Sequence, residues 1–489
     1  MKPNLSDIDN SSCYGTNTTR FPHSMVTWSL TRLTLVWLFF VSIPYLYYYY
    51  PVPLFQSNFP PNQTIILQQS LAISTSNHSL TPSLPIPENT KFNHIVFGIA
   101  STSELWHHRK NYVKLWWKPE KMRGVVWLDK PVKKETDDHL LPPVRISHFN
   151  MSEFEYRNPK GDRSAIRLTR IVSEMLKLQS TKGVRWFVMG DDDTFFVPDN
   201  LLRVLSKYDH GQYYYIGSVS ESHLQNIRFS YQMAYGGAGF AISYPLAQAL
   251  AKMQDRCIKR YPALYGSDDR IHACMSELGV PLTKEPGFHR FFDVHGNVFG
   301  LLTAHPVAPL VSIITALQKL SDPIRLDSAA LIQQSICYDR STKWTVSVSW
   351  GYAVQIFQEI LKPRDIEIPS RTFLHWYRAS DPRGYAFNTR AASSRNTCQN
   401  PFVYYLSSAF YDTIRNRTAS EYVIHQGPNS DCNWDMPNPA LIYRVKVYEK
   451  PDEHLWDKKK FCKVLPRKDK FTLLVEVGVC RDGEVIEFG

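Results

Sequence analysis

An apolar segment that ends in three consecutive carboxylates constrains this chain more than any other feature. Residues Trp186 to Met189 carry aromatic, β-branched and thioether side chains and no charge, which predicts a short buried strand. Asp191, Asp192 and Asp193 follow almost at once. Because adjacent carboxylates repel one another, such a cluster is costly unless a cation is bound close by. Carboxylate oxygens suit hard divalent ions such as Mg²⁺ and Mn²⁺, which also neutralise phosphate groups.

The same cluster has a second interpretation as a solvated turn that precedes a helix. Asp199 stands just before Leu201 and Leu202, a pattern that is typical of a capped helix N-terminus. Acidic turns of this kind also occur in proteins that bind no metal. The cluster by itself leaves both interpretations open, and the rest of the chain has to distinguish them.

Residues 33–50 form an uncharged, largely apolar run of 18 residues, about the shortest length that spans a bilayer. Basic residues precede the run, and no Lys or Arg follows it before Lys91. Because positively charged flanks stay in the cytosol, we predict a cytosolic tail at 1–32, a transmembrane signal anchor at 33–50 and a luminal body. A cleaved signal peptide is the alternative, but the run lies too far from the start and lacks a small-residue cleavage site.

Residues 51–92 are rich in Ser, Thr, Pro, Asn and Gln, and such a composition cannot bury a core. We therefore predict an extended luminal stem. On the luminal side, Asn62, Asn77, Asn150 and Asn416 each begin the Asn-x-Ser/Thr pattern of N-glycosylation acceptors. The layout predicted from these segments is that of a membrane-anchored glycoprotein.

Eight cysteines add a further constraint. Cys13 would be cytosolic, and the seven others would meet the oxidising lumen. No Cys-x-x-Cys pair suggests a metal site, so disulfides are expected, with Cys257 and Cys274 as the first pair because they flank one loop and one helix. Since seven is odd, one thiol would stay free or pair between chains, which would permit a homodimer.

The chain carries 56 basic and 45 acidic residues, a net charge of +11. This excess fits an enzyme that handles anionic nucleotides, and it also fits a generic basic surface. The sequence contains no Arg-rich tract and no nucleic-acid-binding motif, so nucleic acid is not an expected partner.

The chain from residue 93 to residue 320 alternates predicted strands with predicted helices. Strands are expected at His94–Ala100 and Gly124–Leu128, and helices at Ser103–Trp117 and Ala165–Leu178. This alternation is typical of an α/β sheet. Ligands of such sheets gather at the carboxyl ends of the strands, which is where the Asp cluster lies.

The pattern changes at residue 321. Trp344 to Trp350 alternates apolar and polar side chains with period two, which predicts an amphipathic strand. Most of the remaining cysteines also lie in this half. We therefore predict a β-rich, disulfide-containing C-terminal extension over residues 321–489.

Three further motifs follow the Asp cluster. The segment Tyr235–Phe240 contains three glycines, which let the backbone approach a ligand closely, although a plain tight turn explains them equally well. The acidic pair in Tyr265–Ile271 opens a predicted helix, where it would interact with the helix dipole or supply a general base. His289 and His305 come last, and each is open to interpretation as a structural histidine or a metal ligand.

In this order and spacing, the motifs resemble those of the Fringe-like β-1,3-glycosyltransferases of glycosyltransferase family 31, most closely the plant members with a domain of formerly unknown function. The resemblance covers residues 93–310 through Val188-Met-Gly-Asp-Asp-Asp-Thr194, Gly236-Gly-Ala-Gly239, Asp268-Asp-Arg-Ile271 and Leu278-Gly-Val-Pro-Leu282. It implies a GT-A fold, a UDP-sugar donor, a glycan or glycoprotein acceptor and a divalent cation, usually Mn²⁺. It also implies inversion at the anomeric carbon and a place in the Golgi membrane as a single-pass type II protein.

The resemblance further implies roles for single residues around the donor. Asp191 and Asp193 match the Asp-x-Asp motif that holds the metal, and Asp192 would lie near the ribose or the donor sugar. Thr102 and Arg109 match a first-strand pattern that contacts uridine or diphosphate. A metal ion would stabilise the negative charge that grows on the departing UDP.

Other residues would serve the acceptor side. The residues that would frame the donor and acceptor pocket are Gly236, Gly237, Ala238 and Gly239. Asp269, with Asp268 beside it, matches the acidic pair that supplies the general base. An inverting displacement needs a carboxylate on the face opposite the leaving group, where it takes the proton of the acceptor hydroxyl. The variant Asp269→Asn is therefore predicted to abolish transfer while UDP binding persists.

One departure from the family pattern concerns the metal. Related enzymes carry a His pair shortly after the His-Pro segment, and here Ile314 and Thr315 stand in its place. Because Ile cannot coordinate a metal, we take His305 as the third ligand, with His289, water or weak metal affinity as alternatives. A catalytically inactive GT-A-fold protein of the Golgi that binds or scaffolds is a competing hypothesis. A luminal hydrolase that uses paired carboxylates is a third.

Overall fold

The part of the chain that the computed structural model describes begins at residue 89. It comprises residues 89–133, 138–147, 149–178, 182–220, 223–285, 287–292, 303–306, 313–332, 334–367, 397–426, 432–452, 460–467, 469–480 and 483. The predicted tail and anchor, nearly all of the stem, and Cys13, Asn62 and Asn77 lie outside it. None of the described helices is both long enough and apolar enough to cross a bilayer.

The first half of the described chain builds a mixed α/β architecture, as predicted. Its strands are β1 (Ile95–Ala100), β2 (Arg123–Leu128), β3 (Val144–Ile146), β4 (Trp186–Asp191), β5 (Phe195–Phe196), β6 (Tyr215–Gly217), β7 (Phe240–Ser243), β8 (Leu282–Lys284), β9 (Phe288–Phe292) and β10 (Thr303–Pro306). A seven-stranded sheet has the order β3-β2-β1-β4-β7-β6-β8, and a three-stranded sheet has the order β5-β10-β9. β1 runs parallel to β2 and β4, whereas β7 runs antiparallel to β4.

Helices follow most of these strands. They are α1 (Ser103–Lys114), α2 (Ser164–Leu176), α3 (Pro198–Leu205), α4 (His223–Arg228), α5 (Tyr244–Arg260), α6 (Ser267–Glu277), α7 (Ile313–Asp327) and α8 (Pro363–Glu367). The α1 helix begins where predicted because the Thr102 side chain accepts a hydrogen bond from the Leu105 N–H. The α2 helix buries Ile166, Ile171 and Met175, the apolar face that its sequence predicts.

The register of β1 against β4 brings two strand ends together. Ile95 lies beside Trp186, and Ala100 lies beside Asp191. The Asp192 N–H donates to the Ala100 carbonyl at 2.9 Å. β4 is buried along its length except at Asp191, so the carboxylates begin where the buried strand reaches the protein surface.

The second half confirms the predicted β-rich extension. Its strands are β11 (Ser335–Asp339), β12 (Trp344–Ser349), β13 (Ala353–Phe357), β14 (Phe402–Asp412), β15 (Arg417–Gln426), β16 (Arg444–Glu449), β17 (Lys460–Leu465) and β18 (Thr472–Val479). They form one sheet of eight strands in the order β11-β12-β13-β14-β15-β16-β18-β17. Neighbouring strands are antiparallel except β16 and β18.

The β12 strand corrects one detail of the sequence prediction. Its polar residues Thr345, Ser347 and Ser349 are at most 2% exposed, so the strand is not amphipathic in the sense of having one solvated face. The Thr345 hydroxyl donates to the Glu359 carbonyl at 2.6 Å, and the Gln334 amide donates to the Ser347 hydroxyl. Thr345 and Ser347 thus find hydrogen-bond partners inside the protein instead of in water.

One hydrophobic core extends through both halves. It includes Phe97 and Val188 from the first sheet and Trp344 and Val475 from the second, each at most 1% exposed. The two sheets therefore bury apolar surface in a common interior, which is the main favourable term in folding. The division of the body at residue 320 stays a prediction.

Disulfides connect several of these elements. The disulfides in the described part of the chain are Cys257–Cys274, Cys337–Cys462 and Cys398–Cys432. The predicted bond between Cys257 and Cys274 is confirmed, and it ties α5 to α6. Cys480 is the free thiol among the described cysteines, in line with their odd number.

Removal of the Cys257–Cys274 disulfide is expected to lower the free energy of unfolding by about 3 kcal/mol, because the bond closes a loop across 17 residues. The double variant Cys257→Ala, Cys274→Ala tests this by urea unfolding. Cys480→Ala, which removes a free thiol, is the matched control and should leave the unfolding midpoint unchanged. Identical unfolding curves for the wild type and the double variant would contradict the stabilising role.

Candidate active site

The Asp cluster forms a tight turn at the carboxyl end of β4. The Asp191 N–H donates to the Thr194 hydroxyl at 2.8 Å, and the Thr194 N–H donates to the Asp191 carbonyl at 3.0 Å. The Thr194 hydroxyl donates in turn to the Gly237 carbonyl at 2.9 Å, across 43 residues of sequence. Thr194 therefore joins the acidic turn to the Gly-rich segment, and two of the predicted motifs meet at one place.

Arg109 forms ion pairs with two of the three carboxylates. Its Nη1 lies 2.6 Å from an oxygen of Asp192 and 3.0 Å from an oxygen of Asp193. Burial opposes the charge on Arg109, but the hydrogen bond to Asp192 and the nearby carboxylates raise its pKa. The contact partners of Arg109 here are the acids themselves, and contact of Arg109 with a nucleotide stays a prediction.

Asp192 is held by two side chains. The Ser101 hydroxyl donates to one of its oxygens at 2.5 Å, Arg109 donates to the other, and the side chain is 2% exposed. Burial raises the pKa of Asp192, although both hydrogen bonds act in the opposite direction. Thr102, the next residue in the predicted nucleotide contact, is half-buried and caps α1.

A buried arginine donates hydrogen bonds to backbone carbonyls at this end of the sheet. Arg167 is 3% exposed and donates to the Ser101 carbonyl at 2.8 Å and to the Trp127 carbonyl at 3.2 Å. It thereby links the ends of β1 and β2 next to the Asp cluster. Arg167 was not among the residues predicted from sequence, because nothing local in the sequence signals a contact to a strand end far away in the chain.

The Gly-rich segment forms a buried 3₁₀ turn over Gly236–Ala238 that is followed by Gly239. Gly239 has φ +80°, a left-handed conformation that favours glycine, and a Cβ there would lie 2.9 Å from the Met189 carbonyl oxygen. A Cβ on Gly236 would lie 2.5 Å from an oxygen of Asp268. Gly236 and Gly239 are therefore required for close approach, Gly236 to the Asp268 side chain and Gly239 to the backbone of β4.

Asp268 lies against this turn at the start of α6. The Gly236 N–H donates to its Oδ2 at 2.9 Å, and the Ser267 hydroxyl donates to its Oδ1 at 3.0 Å. The residue is half-buried. It also lines, together with Asp191, a small cavity of about 30 Å³ between β4 and α6.

Asp269 has a different environment. It is 6% exposed, and its two oxygens accept the N–H groups of Tyr265 at 2.7 Å and Gly266 at 2.9 Å. Burial raises its pKa, although both backbone hydrogen bonds act against that shift. In this position Asp269 fixes the turn that opens α6.

A larger cavity of about 290 Å³ brings the acidic motifs together. Asp191, Asp268 and Asp269 all contribute to its wall, with Gly237 and Tyr235 from the Gly-rich segment. The structure thus places the Asp cluster, the Gly-rich turn and the acidic pair around one space, which their separation in sequence does not reveal. A cavity with convergent polar groups is the usual form of a small-ligand site.

Sequence reasoning missed several residues of this wall. Asp162 precedes α2, Gln225 lies in α4 and Phe229 follows it. No motif marks these positions, and their approach to the cavity depends on helix packing. Tyr265 was open to prediction, because it stands in the same short motif as Asp268.

The predicted histidine ligand lies close to the acids along the backbone. β10, which contains His305, pairs antiparallel with β5, directly after the acidic turn, and Ala304 lies opposite His289 in β9. The side chain of His305 is outside what the structure describes. Within the described segments, no group of three or more His, Cys, Asp or Glu side chains is placed to hold a metal ion. The metal set Asp191, Asp193 and His305 therefore stays a prediction.

The residues at the missing His pair lie on a helix. Ile314 is half-buried and Thr315 is exposed, both in the first turn of α7. The prediction that this segment supplies no histidine ligand depends on residue type alone. The structure shows in addition that the segment is helical.

Two family models match the sequence. One is described as Fringe-like and matches residues 90–334, about half of the 489 residues. The chain belongs to the Fringe-like family. The second model, described as a protein of unknown function, DUF604, matches residues 225–464. The predicted combination of a Fringe-like region and a domain of unknown function is confirmed, and the plant subgroup stays a prediction.

This Fringe-like chain is similar to named glycosyltransferases. It is 27% identical over 242 residues to the β-1,3-glucosyltransferase of Homo sapiens, which covers 46% of this chain and 46% of the relative. It is 24% identical over 229 residues to the β-1,3-N-acetylglucosaminyltransferase lunatic fringe of Danio rerio, which covers 43% of this chain and 57% of the relative. The chain spans about half the length of these curated relatives.

Solved structures of two glycosyltransferases are distantly similar to the Fringe-like chain. The apo form of mouse xyloside xylosyltransferase 1 has a TM-score of 0.28 at 9% identity and covers 43% of this chain and 96% of that structure. The mannosyltransferase PcManGT from Pyrobaculum calidifontis, in complex with GDP-Man and Mn²⁺, has a TM-score of 0.25 at 12% identity and covers 40% and 55%. At these TM-scores, neither structure adds to the family assignment.

Proposed function

We propose that this protein is a UDP-sugar-dependent glycosyltransferase with a GT-A fold. It transfers a sugar with inversion to a hydroxyl of a glycan or glycoprotein, in β-1,3 linkage, and it is a type II protein of the Golgi membrane. The observation that carries the proposal is the convergence of the Asp cluster, the Gly-rich turn and Asp268 on one cavity in a Fringe-like chain. The names of its relatives support the reaction class.

The acidic turn has the chemistry of a metal–diphosphate site. Asp191 and Asp193 offer hard carboxylate oxygens at the exposed end of a buried strand, which fits Mg²⁺ or Mn²⁺. Arg109 is already in contact with Asp192 and Asp193, so it reduces the repulsion that would otherwise oppose an anionic ligand. When bound there, a divalent cation would supply charge neutralisation for the diphosphate.

The acceptor side requires a base, and the geometry favours Asp268 over Asp269. A base must reach the proton that it removes, and accessibility is considered before pKa. The oxygens of both acids accept hydrogen bonds, but Asp269 is 6% exposed with both oxygens on backbone N–H groups, whereas Asp268 is half-buried and lines both cavities. We therefore assign proton removal from the acceptor hydroxyl to Asp268 and the support of the α6 turn to Asp269, a revision of the roles that the family resemblance implies.

In the proposed reaction, the acceptor oxygen attacks the anomeric carbon of the donor as its proton passes to Asp268. The bond from that carbon to the diphosphate breaks, and its electron pair leaves with UDP. The Gly236 N–H donates to Asp268 Oδ2 at 2.9 Å, which fixes the direction of the base.

Binding of UDP tests the donor part of the proposal. We expect the full-length protein in detergent to bind UDP in the presence of Mn²⁺ and to bind it at least about tenfold more weakly with EDTA, because the cation offsets repulsion between diphosphate and carboxylates. Calorimetry measures both affinities. The Asp193→Asn variant should bind UDP with the same affinity in Mn²⁺ and in EDTA.

Asp199→Asn is the matched control for that variant. Asp199 is exposed and pairs with Lys118 at 2.8 Å, away from the acidic turn, so the control should retain wild-type UDP binding. Absence of UDP binding with either Mn²⁺ or EDTA would contradict the proposal. It would favour a catalytically inactive binding or scaffold protein, the alternative that Ile314 in the place of a histidine supports. Slow UDP-sugar hydrolysis without acceptor would in turn exclude that alternative.

A further inference from the structure

The residues that line the larger cavity indicate the charge of the acceptor, an inference that rests on the proposed function. Its wall contains four carboxylates, those of Asp162, Asp191, Asp268 and Asp269. Among the described residues that line it, none is Lys, Arg or His. The whole chain has a net charge of +11, so this acidic wall contrasts with the rest of the protein.

Asp162 marks the rim of the cavity. It is exposed, precedes α2 and accepts a hydrogen bond from the Ser164 N–H at 2.7 Å. Hydrogen bonds from Ser164 lower the pKa of Asp162, so it is ionised at neutral pH. A ligand that enters past Asp162 therefore meets a fixed negative charge.

Aromatic side chains form another part of the wall. The rings of Phe229 and Tyr265 have centroids 6.1 Å apart, and Met233 beside them is 4% exposed. Aromatic rings offer an apolar face, on which the C–H face of a sugar ring packs well, while hydroxyls reach polar groups at the edge. The volume of about 290 Å³ is near the lower limit for ligand cavities, which suits a single sugar ring.

We propose that this cavity binds an uncharged sugar of the acceptor and rejects acceptors with a carboxylate, sulfate or phosphate next to the reacting hydroxyl. An anionic group there would lie close to the carboxylates of Asp162 and Asp268, and like charges brought together at a binding site strongly reduce affinity. A neutral ring avoids this repulsion, stacks on Phe229 and Tyr265, and presents its hydroxyl to Asp268. The proposal thus names the substrate class for the acceptor side.

Matched pairs of methyl glycosides test the charge rule. The pairs are methyl β-glucoside with methyl β-glucuronide and methyl β-galactoside with methyl β-galacturonide, each presented to full-length protein with UDP and the diamagnetic ion Mg²⁺. Saturation-transfer NMR measures their affinities. We expect at least one neutral glycoside to bind, and its uronate to bind at least about tenfold more weakly.

Variants separate the effect of charge on binding from a general loss of structure. Asp162→Asn retains an acceptor for the Ser164 N–H. It should reduce the ratio between the affinities for a neutral glycoside and for its uronate about threefold. Asp322→Asn removes an equal charge from the exposed surface of α7 and should leave that affinity ratio unchanged. Phe229→Ala should weaken the neutral glycoside, whereas Tyr213→Ala, which alters an exposed aromatic residue, should not.

Failure of the charge rule can be told apart from failure of the proposed function, because UDP binding is measured on the same samples. Protein that binds no UDP contradicts the proposed function whatever the glycosides do. In protein that binds UDP, a uronate that binds as tightly as its neutral partner overturns the charge rule. Failure of both neutral glycosides to bind in such protein overturns it as well.

Discussion

The Asp268→Asn variant is expected to lose sugar transfer by roughly 10²–10⁴-fold, the range that a general base contributes, while it retains UDP binding. Asn keeps the hydrogen-bonding shape of the side chain and can still accept the Gly236 N–H, but it cannot take a proton. Release of UDP from a panel of UDP-sugars, measured with glycan acceptors, gives the turnover. Thermal unfolding of the variant should match that of the wild type.

Asp269→Asn is the informative comparison. It replaces one oxygen that accepts a backbone N–H by an amide, so one of the bonds to Tyr265 and Gly266 is lost at a site that is 6% exposed. We expect a loss of about 1–3 kcal/mol in the free energy of unfolding and a smaller loss of turnover. If Asp269→Asn abolishes transfer at unchanged stability while Asp268→Asn remains active, the role implied by the family resemblance is correct and the geometric assignment is wrong.

The Gly236→Ala variant is expected to lose at least about 10²-fold in turnover, because a misplaced catalytic group costs that much. A Cβ at this position would lie 2.5 Å from Asp268 Oδ1 and 2.9 Å from its Cγ, so the carboxylate has to move. The hydrogen bond that directs it would be lost at the same time. Turnover and UDP affinity, measured on the same preparation, show whether the loss is confined to the chemical step.

Gly124→Ala provides a control with comparable crowding in a different place. A Cβ on Gly124 would lie 2.8 Å from the Phe97 carbonyl oxygen in the sheet interior, remote from Asp268. It should therefore destabilise the fold without a specific effect on turnover per folded molecule. Equal losses of specific activity in Gly236→Ala and Gly124→Ala would show that Gly236 acts through stability alone.

The elements of the first sheet were predictable because their signals are local. The apolar run at Trp186–Met189 is a strand, and the helix predicted from Ser103 begins there because Thr102 caps it. The Cys257–Cys274 disulfide was predictable for the same reason, since the two cysteines are near in sequence. The amphipathic interpretation of β12 was wrong, because the period of its side chains does not reveal that both faces are buried.

The site was predictable as a set of motifs but not as an arrangement. The contact between Gly236 and Asp268 spans 32 residues, and the contact between Arg109 and Asp192 spans 83. Contacts of this kind depend on the packing of whole elements, which no local pattern encodes. Phe229 lies in the cavity for the same reason, although nothing in its neighbourhood suggests a ligand.

The Cys337–Cys462 disulfide joins β11 to β17, the two border strands of the eight-stranded sheet. An open border presents unpaired N–H and C=O groups to which a strand of another molecule can add. With the two borders clamped side by side, this sheet is shielded from such edge-to-edge association. Reduction of that bond would remove the covalent link between the two borders, so the expected consequence is a greater tendency of the extension to aggregate and not a direct change in the chemistry at Asp268.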